Sequence, residues 1–317
     1  MTTNNFFRMA MICCVMAIAV SCKSKDDKSA INPPTSAIFQ QVLNDALKDI
    51  IQTKTFKAED GIDFITEGGV RFVIYPYQLC ATTGDVTLEF AELYNRGDML
   101  VVNKPLMGTN YNGDKGPMIT GGQFYVNITQ NGETIDCGYY SMTVPSENTG
   151  AVNNNMTLWE GIEDEDGNML WNEGKEGQEF AAWARGSDYE VFCGHFGWIN
   201  IDILAALPDP KTQVWVEVPV GYDGKNCIVY VIYKDKTGSL AYMDEWNPTR
   251  KMFTEHYGLA PVGFNFYVVF TSVQEDGKYI YAYKDVTVKA DTPVVFKKDD
   301  LKVTTKNALV TLINNLK

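Results

Sequence analysis

His195 and His256 are the chain's only imidazoles, and only His195 stands beside a thiol, in Cys193-Gly194-His195. Residues two apart on an extended strand share a face, so a thiolate–imidazole pair is geometrically open there. The same stretch reads as a strand leading into the turn before Trp198, and in such strands cysteine commonly serves as a small core residue. No Gly-x-Ser-x-Gly elbow, His-Glu-x-x-His helix or Gly-x-x-x-x-Gly-Lys-Ser/Thr loop occurs. Glycoside hydrolysis asks only for two carboxylates at a suitable separation. With 40 acidic residues some pair always qualifies, so a hydrolase using unrecognised carboxylates stands as a lesser alternative. The expectation is a protein that is not an enzyme and needs no cofactor.

Two other groupings could bind rather than react. The run Glu163-Asp164-Glu165-Asp166-Gly167-Asn168 resembles a calcium loop, with Gly167 at loop position six and Glu173 at twelve. Position one then falls on Ile162, which has no oxygen to offer, and the EF-hand fails. A solvated acidic turn is the expectation, with no metal site; two histidines and no Cys-x-x-Cys also argue against a zinc cage. The six tryptophans and 17 tyrosines are the second grouping. An aromatic side chain joins a flat apolar face to a polar handle, as a platform for sugar rings requires. Alternation places Trp198 and Trp215 inside. Trp246, in the polar Asp244-Glu245-Trp246-Asn247-Pro248, is the first candidate for an exposed ligand-binding residue, and Trp171, between Leu170 and Asn172, is the second.

The N-terminus supplies an address. Arg8 precedes the apolar run Met9 to Val20, which is shorter than the ~20 residues of a membrane span. Ala19-Val20-Ser21 then leads to Cys22. This order is that of a bacterial lipobox, with Ala19 where leucine is usual, so residues 1–21 are a lipoprotein signal peptide and Cys22 the lipidation site. The anchor attaches to a membrane without crossing it. Residues 22–35, charged and then small, polar and proline-containing, are expected to be a flexible tether. Lys25-Asp26-Asp27 looks like the signal that carries lipoproteins of Bacteroidota to the outer cell face, so the expected place is the outer membrane, facing the exterior.

Removing Arg8 with the leader takes the formal charge from −13 to −14. Such a chain repels phosphate backbones, which argues against nucleic acid, and leaves the Cys22 lipid as its hold on the membrane. Four cysteines remain beyond the lipid site, Cys80, Cys137, Cys193 and Cys227. An even number in an exported protein permits disulfides, and the pairing stays open.

Helical spacing appears at the two ends. Ile38, Phe39, Val42, Leu43, Ala46, Leu47, Ile50 and Ile51 form a stripe over 36–52, with Ser36 as N-cap. Ala308, Leu309, Leu312, Ile313 and Leu316 form another at the C-terminus. Between them short alternating runs, broken by glycine and asparagine, predict antiparallel strands. The fold class is mainly β: a first β-sandwich over 53–150, a tryptophan-rich acidic connecting region over 151–208, and a second sandwich with the closing helix over 209–317.

One series of short motifs has a familiar order. Gly68-Gly69-Val70-Arg71-Phe72 is followed by Gly84-Asp85-Val86-Thr87-Leu88-Glu89, Glu92-Leu93, Asp98-Met99-Leu100 and Lys104-Pro105. Gly121-Gly122-Gln123-Phe124-Tyr125, Trp198-Ile199-Asn200-Ile201-Asp202 and Pro261-Val262-Gly263 complete it. The series resembles uncharacterised surface lipoproteins of Bacteroidota whose first domain is similar to the β-sandwich of the spectrin-binding region of ankyrins. It departs from them at Ile74-Tyr75-Pro76, where Ile-Pro is usual, and at Ile201, where a cysteine often stands. The resemblance implies a fold and no activity, and spectrin binding does not carry over with a fold. The expected function is non-catalytic: a lipid-anchored surface protein that binds or scaffolds another macromolecule, such as an envelope or surface protein. The alternative is a carbohydrate-binding lipoprotein of a glycan-uptake system.

Overall fold

The computed structural model describes residues 31–317 except 81, 136, 164–167, 175–179, 235–237, 256–257 and 259. The expected leader over residues 1–21, Cys22 and the Lys25-Asp26-Asp27 run lie outside the described residues, as do His256 and the centre of the acidic run. The chain is mainly β, as expected, with 47% of residues in strands against 13% in helices.

An eight-stranded sheet carries the N-terminal half. Its main order is Gln52–Lys57, Asp85–Leu93, Lys115–Gln130, Gly197–Leu204, Thr157–Glu163, Met169–Glu173 and Met107–Thr109. Met107–Thr109 also pairs with Lys115–Gln130, so the last five strands close into a ring. Trp171 pairs with Gly108 in parallel, the one parallel step in that circuit. The 16-residue strand Lys115–Gln130 serves both parts, pairing with Asp85–Leu93 along one stretch and with Met107–Thr109 at its start. Gly122 lies at φ 132°, and Gly121-Gly122 stand as two residues opposite the single Ile201, so the register shifts there by one. A side chain on Gly121 would meet Ile201 O at 3.1 Å and Met156 Sδ at 2.9 Å. A bulge made by glycines is an ordinary means of turning a sheet.

A second sheet of five strands runs Phe180–Arg185, Asp188–Cys193, Tyr140–Pro145, Arg71–Ile74 and Ile62–Ile65. Its inward residues Phe72, Tyr140, Met142, Val144, Tyr189 and Val191 share one buried cluster with Val86, Leu88, Phe90, Phe124, Val126 and Ile128 of the first sheet. The segment 151–208 is therefore no connecting region. It supplies five strands to these two sheets, interrupted by polar loops that break the alternation.

Beyond residue 210, the five-stranded sheet around Ile228–Tyr233, Asn265–Val273 and Tyr279–Thr287 and the four-stranded sheet around Met252–Thr254 and Trp215–Glu217 share another core. The helices build a third cluster with residues of both halves. Helix α1, Ser36–Lys48, buries Phe39, Leu43 and Ala46. It ends before the expected residue 52, because Gln52 begins a strand, and its N-cap is Thr35, whose Oγ1 accepts from Ile38 N at 3.3 Å. Helix α2, Arg96–Val101, is too short to announce itself by periodicity. It packs against helix α3, Lys306–Asn315, where the Arg96 guanidinium donates to Ile313 O at 3.1 Å and to Leu316 O. Tyr230 and Tyr279 of the C-terminal half donate to Leu100 O and Val101 O at 3.2 and 3.0 Å.

The expected tether ends earlier than residue 35. Ile31 packs on the C-terminal core, Pro34 is buried, and Pro34 O accepts from Asn226 Nδ2 at 3.3 Å.

Candidate functional site

The residues of the Cys-x-His sequence meet, but not as a reacting pair. Cys193 is fully buried and its Sγ donates to His195 O, 3.2 Å away. Burial pushes the thiol up to about 11, where thiolate is scarce at neutral pH. The His195 ring lies on Phe180, centroids 4.7 Å apart, with Nε2 3.6 Å from Glu160 Oε1. The imidazole therefore faces a carboxylate on the neighbouring sheet, while the thiol is closed off in the core. Cys227 is likewise buried, its thiol raised by desolvation.

Glu173, the last position of the rejected calcium loop, accepts from Thr157 Oγ1 at 2.7 Å and from Tyr111 N at 3.3 Å. Glu163 is paired with the buried Lys104 at 2.5 Å. Among the described residues no group of three or more His, Cys, Asp or Glu could hold a metal ion.

The tryptophans are redistributed. Trp171 is not an exposed candidate: it is fully buried within the ring, with Nε1 donating to Pro105 O at 2.8 Å. Its inward partner in the alternation is Met169, so the polar neighbour Asn172 is no guide to exposure. Trp246 is half-buried against Phe253, centroids 4.9 Å apart, and its Cβ crowds Gly224. Trp198 is buried as expected. Trp215 is only half-buried, with the Arg250 guanidinium 4.3 Å above its ring. Trp183, never singled out from sequence, is 49% exposed.

Trp183 belongs to the outer face of the five-stranded sheet, where the exposed aromatics gather. The register sets two rows across the strands. One runs Ile65, Arg71, Thr143, Glu190, Trp183; the next runs Asp63, Val73, Ser141, Phe192, Ala181. Arg71 grips Asp63 with two hydrogen bonds of 3.0 and 2.6 Å, which hold that carboxyl below its usual range. Thr143 Oγ1 donates to Glu190 at 3.2 Å. The polar groups of this face are thus largely paired with one another. Its aromatic groups are turned to solvent: Phe192 is 37% exposed, and Tyr75, at the end of the Arg71–Ile74 strand, 62%.

Beside Phe192 lies an open cleft of about 330 Å³ lined by Tyr75, Gln78, Tyr139, Tyr140, Ser141 and Phe192. The Tyr139 and Phe192 rings lie nearly parallel, 10° apart with centroids at 5.7 Å. One wall is held by unusual means. Tyr77 and Cys80 both take positive φ, 63° and 44°, in a region non-glycine residues visit at a cost. Cys80 is disulfide-bonded to Cys137, and Tyr139 N donates to Gln78 O at 3.2 Å. The open question of pairing is thereby answered for this couple, while Cys193 and Cys227 are free.

Sequence reading missed Tyr75, Tyr139, Phe192 and Trp183. The available signal was parity: in Asp188–Cys193 the inward set is Tyr189, Val191 and Cys193, which leaves Phe192 as an aromatic on the solvent side. No family model, curated protein or solved structure matches the chain.

Proposed function

We propose that this is a non-catalytic, lipid-anchored cell-surface protein that binds another macromolecule through the outer face of its N-terminal five-stranded sheet. The observation that carries the reading is the concentration of exposed aromatic side chains there, Trp183, Phe192, Tyr75 and the neighbouring Tyr77, on a face whose charges pair internally. Solvated faces of sheets normally alternate to polar residues, and clustered apolar exposure marks interaction surfaces. In this reading the facing sheets of each half form two antiparallel sandwiches. Cys22 carries the lipid and Lys25-Asp26-Asp27 directs export. The likeness to surface lipoproteins of Bacteroidota agrees with that address. The sealed Cys193 thiol supports a binding role over a nucleophilic one.

The test is capture of solubilised envelope material on beads carrying the full chain. The double variant Trp183→Ser/Phe192→Ser should lose most of the capture while Trp246→Ala keeps it. Equal capture by the double variant and the wild type would remove the face from consideration.

A further inference from the structure

Resting on that reading, we infer that the cleft between Tyr75, Tyr139 and Phe192 binds a neutral sugar ring, so that the macromolecule is an uncharged polysaccharide. Three observations lead there. First, the polar groups lining the cleft are the Gln78 carboxamide, the Ser141 hydroxyl and the phenols of Tyr75 and Tyr139, the Tyr140 phenol being buried in the core. Each can both donate and accept, and none is ionised at neutral pH. That is the complement of a polyol, whose hydroxyls also do both. A proline-rich peptide presents carbonyl acceptors without backbone donors. An anionic polymer finds no cation in the lining and meets a chain of formal charge −13.

Second, the platform is flat and braced. Phe192 and Tyr139 lie nearly parallel at the surface. Behind them Tyr140 stacks on Phe196 at 5.9 Å and 12°, and on Phe72 at 5.2 Å and 22°. Aromatic faces suit the C–H-bearing face of a pyranose. Third, the wall bearing Gln78 is fixed by the Cys80–Cys137 bridge and the Tyr139–Gln78 backbone bond, so little ordering remains to be done on binding. A cleft of about 330 Å³ is at the lower end of the ~300–1,000 Å³ of small-molecule sites. It suits one or two units of a longer chain passing over an open surface.

The experiment is native affinity electrophoresis of the purified full chain in gels containing dextran, amylopectin, galactomannan or laminarin, with alginate and a polyproline peptide as contrasts. Retardation by at least one neutral polysaccharide is expected, weakened about tenfold by Phe192→Ala, the scale of one lost aromatic contact. Gln78→Ala, which removes only the carboxamide, should weaken it too, and Trp246→Ala should not. Unchanged thermal unfolding of each variant excludes a folding defect, since Phe192 is partly solvent-exposed and Gln78 half-buried. Retardation by none of the neutral polymers, by alginate or polyproline alone, or equally in Phe192→Ala and wild type, overturns the inference. Treating the captured envelope material separates the two readings. If capture depends on the aromatic face but is destroyed by protease and survives periodate, the sugar inference fails and the binding face stands. If capture ignores the face, both fail.

Discussion

Replacing Cys80 and Cys137 together by serine removes the bridge that pins the cleft wall to the strand bearing Tyr140. The two cysteines are 57 residues apart in sequence, with Cα atoms 5.8 Å apart. In the chain-entropy treatment a loop of that length loses about 14 cal/mol/K in the unfolded state, or about 4 kcal/mol at 25 °C. Against the ~5–15 kcal/mol that folded proteins usually hold in reserve, this is a large share. The folded side of the balance should change little. Arg71–Ile74 and Tyr140–Pro145 pair directly through Arg71–Thr143, Phe72–Met142 and Val73–Ser141, which keeps the flanking strands together without the bridge. Urea titration followed by tryptophan emission, comparing oxidised wild type with the double serine variant, reads the difference. A loss below about 1 kcal/mol would refute the argument, because it would mean the bridge does not restrict the unfolded chain. So would four titratable thiols among Cys80, Cys137, Cys193 and Cys227 in protein purified without reductant.

Three further outcomes follow from the same packing. Trp171→Ala should cost about 3–5 kcal/mol in stability, as expected for a large buried side chain, while the folded fraction keeps its binding. Ligand-specific loss with unchanged unfolding would contradict its burial. Cys193 and Cys227, free and buried with raised thiols, should resist maleimide in the native chain and label fully in denaturant. Rapid native labelling of Cys193 would reopen the thiolate reading. Asp202 is fully buried, and desolvation raises its carboxyl well above the ordinary range despite the hydrogen bond from Asn200 Nδ2 at 2.8 Å. The unfolded chain then loses this proton first, so stability is full below the unfolded value near about pH 4 and falls as pH rises through the folded one. Asp202→Asn should therefore be more stable than wild type at neutral pH, by a margin that shrinks toward pH 4, as measured by thermal unfolding across pH. A constant margin would refute that assignment.

What the sequence made legible was local. The α1 stripe put Phe39, Leu43 and Ala46 on one face, and all three are buried. The continuous β-branched and aromatic run Ile228 to Tyr233 is a buried strand with the same ends. Pairing between distant segments left no comparable trace. The ring closes when Met107–Thr109, three residues long, lies parallel to Trp171 and Asn172, more than sixty residues away. The Gly121-Gly122 pair reads as punctuation between strands, yet it lies within one continuous strand, as a bulge of two residues opposite the single Ile201 of the partner strand. The exposed aromatic face left little trace for a related reason. The polar neighbour Asn172 suggests exposure for Trp171, whereas on a strand the neighbours point the other way and Trp171 is fully buried. The relevant test was which parity faces the core, and it would have selected Phe192.

The central claim, that the outer aromatic face is the binding surface, is most directly tested by hydroxyl-radical footprinting of the full chain with and without captured envelope material. Protection of Tyr75, Tyr139, Trp183 and Phe192 is expected. So is unchanged labelling of Val220, Val262 and Tyr283, which are exposed and lie elsewhere in the chain. Protection of those three, with the aromatic face still labelled at its free rate, would contradict the claim.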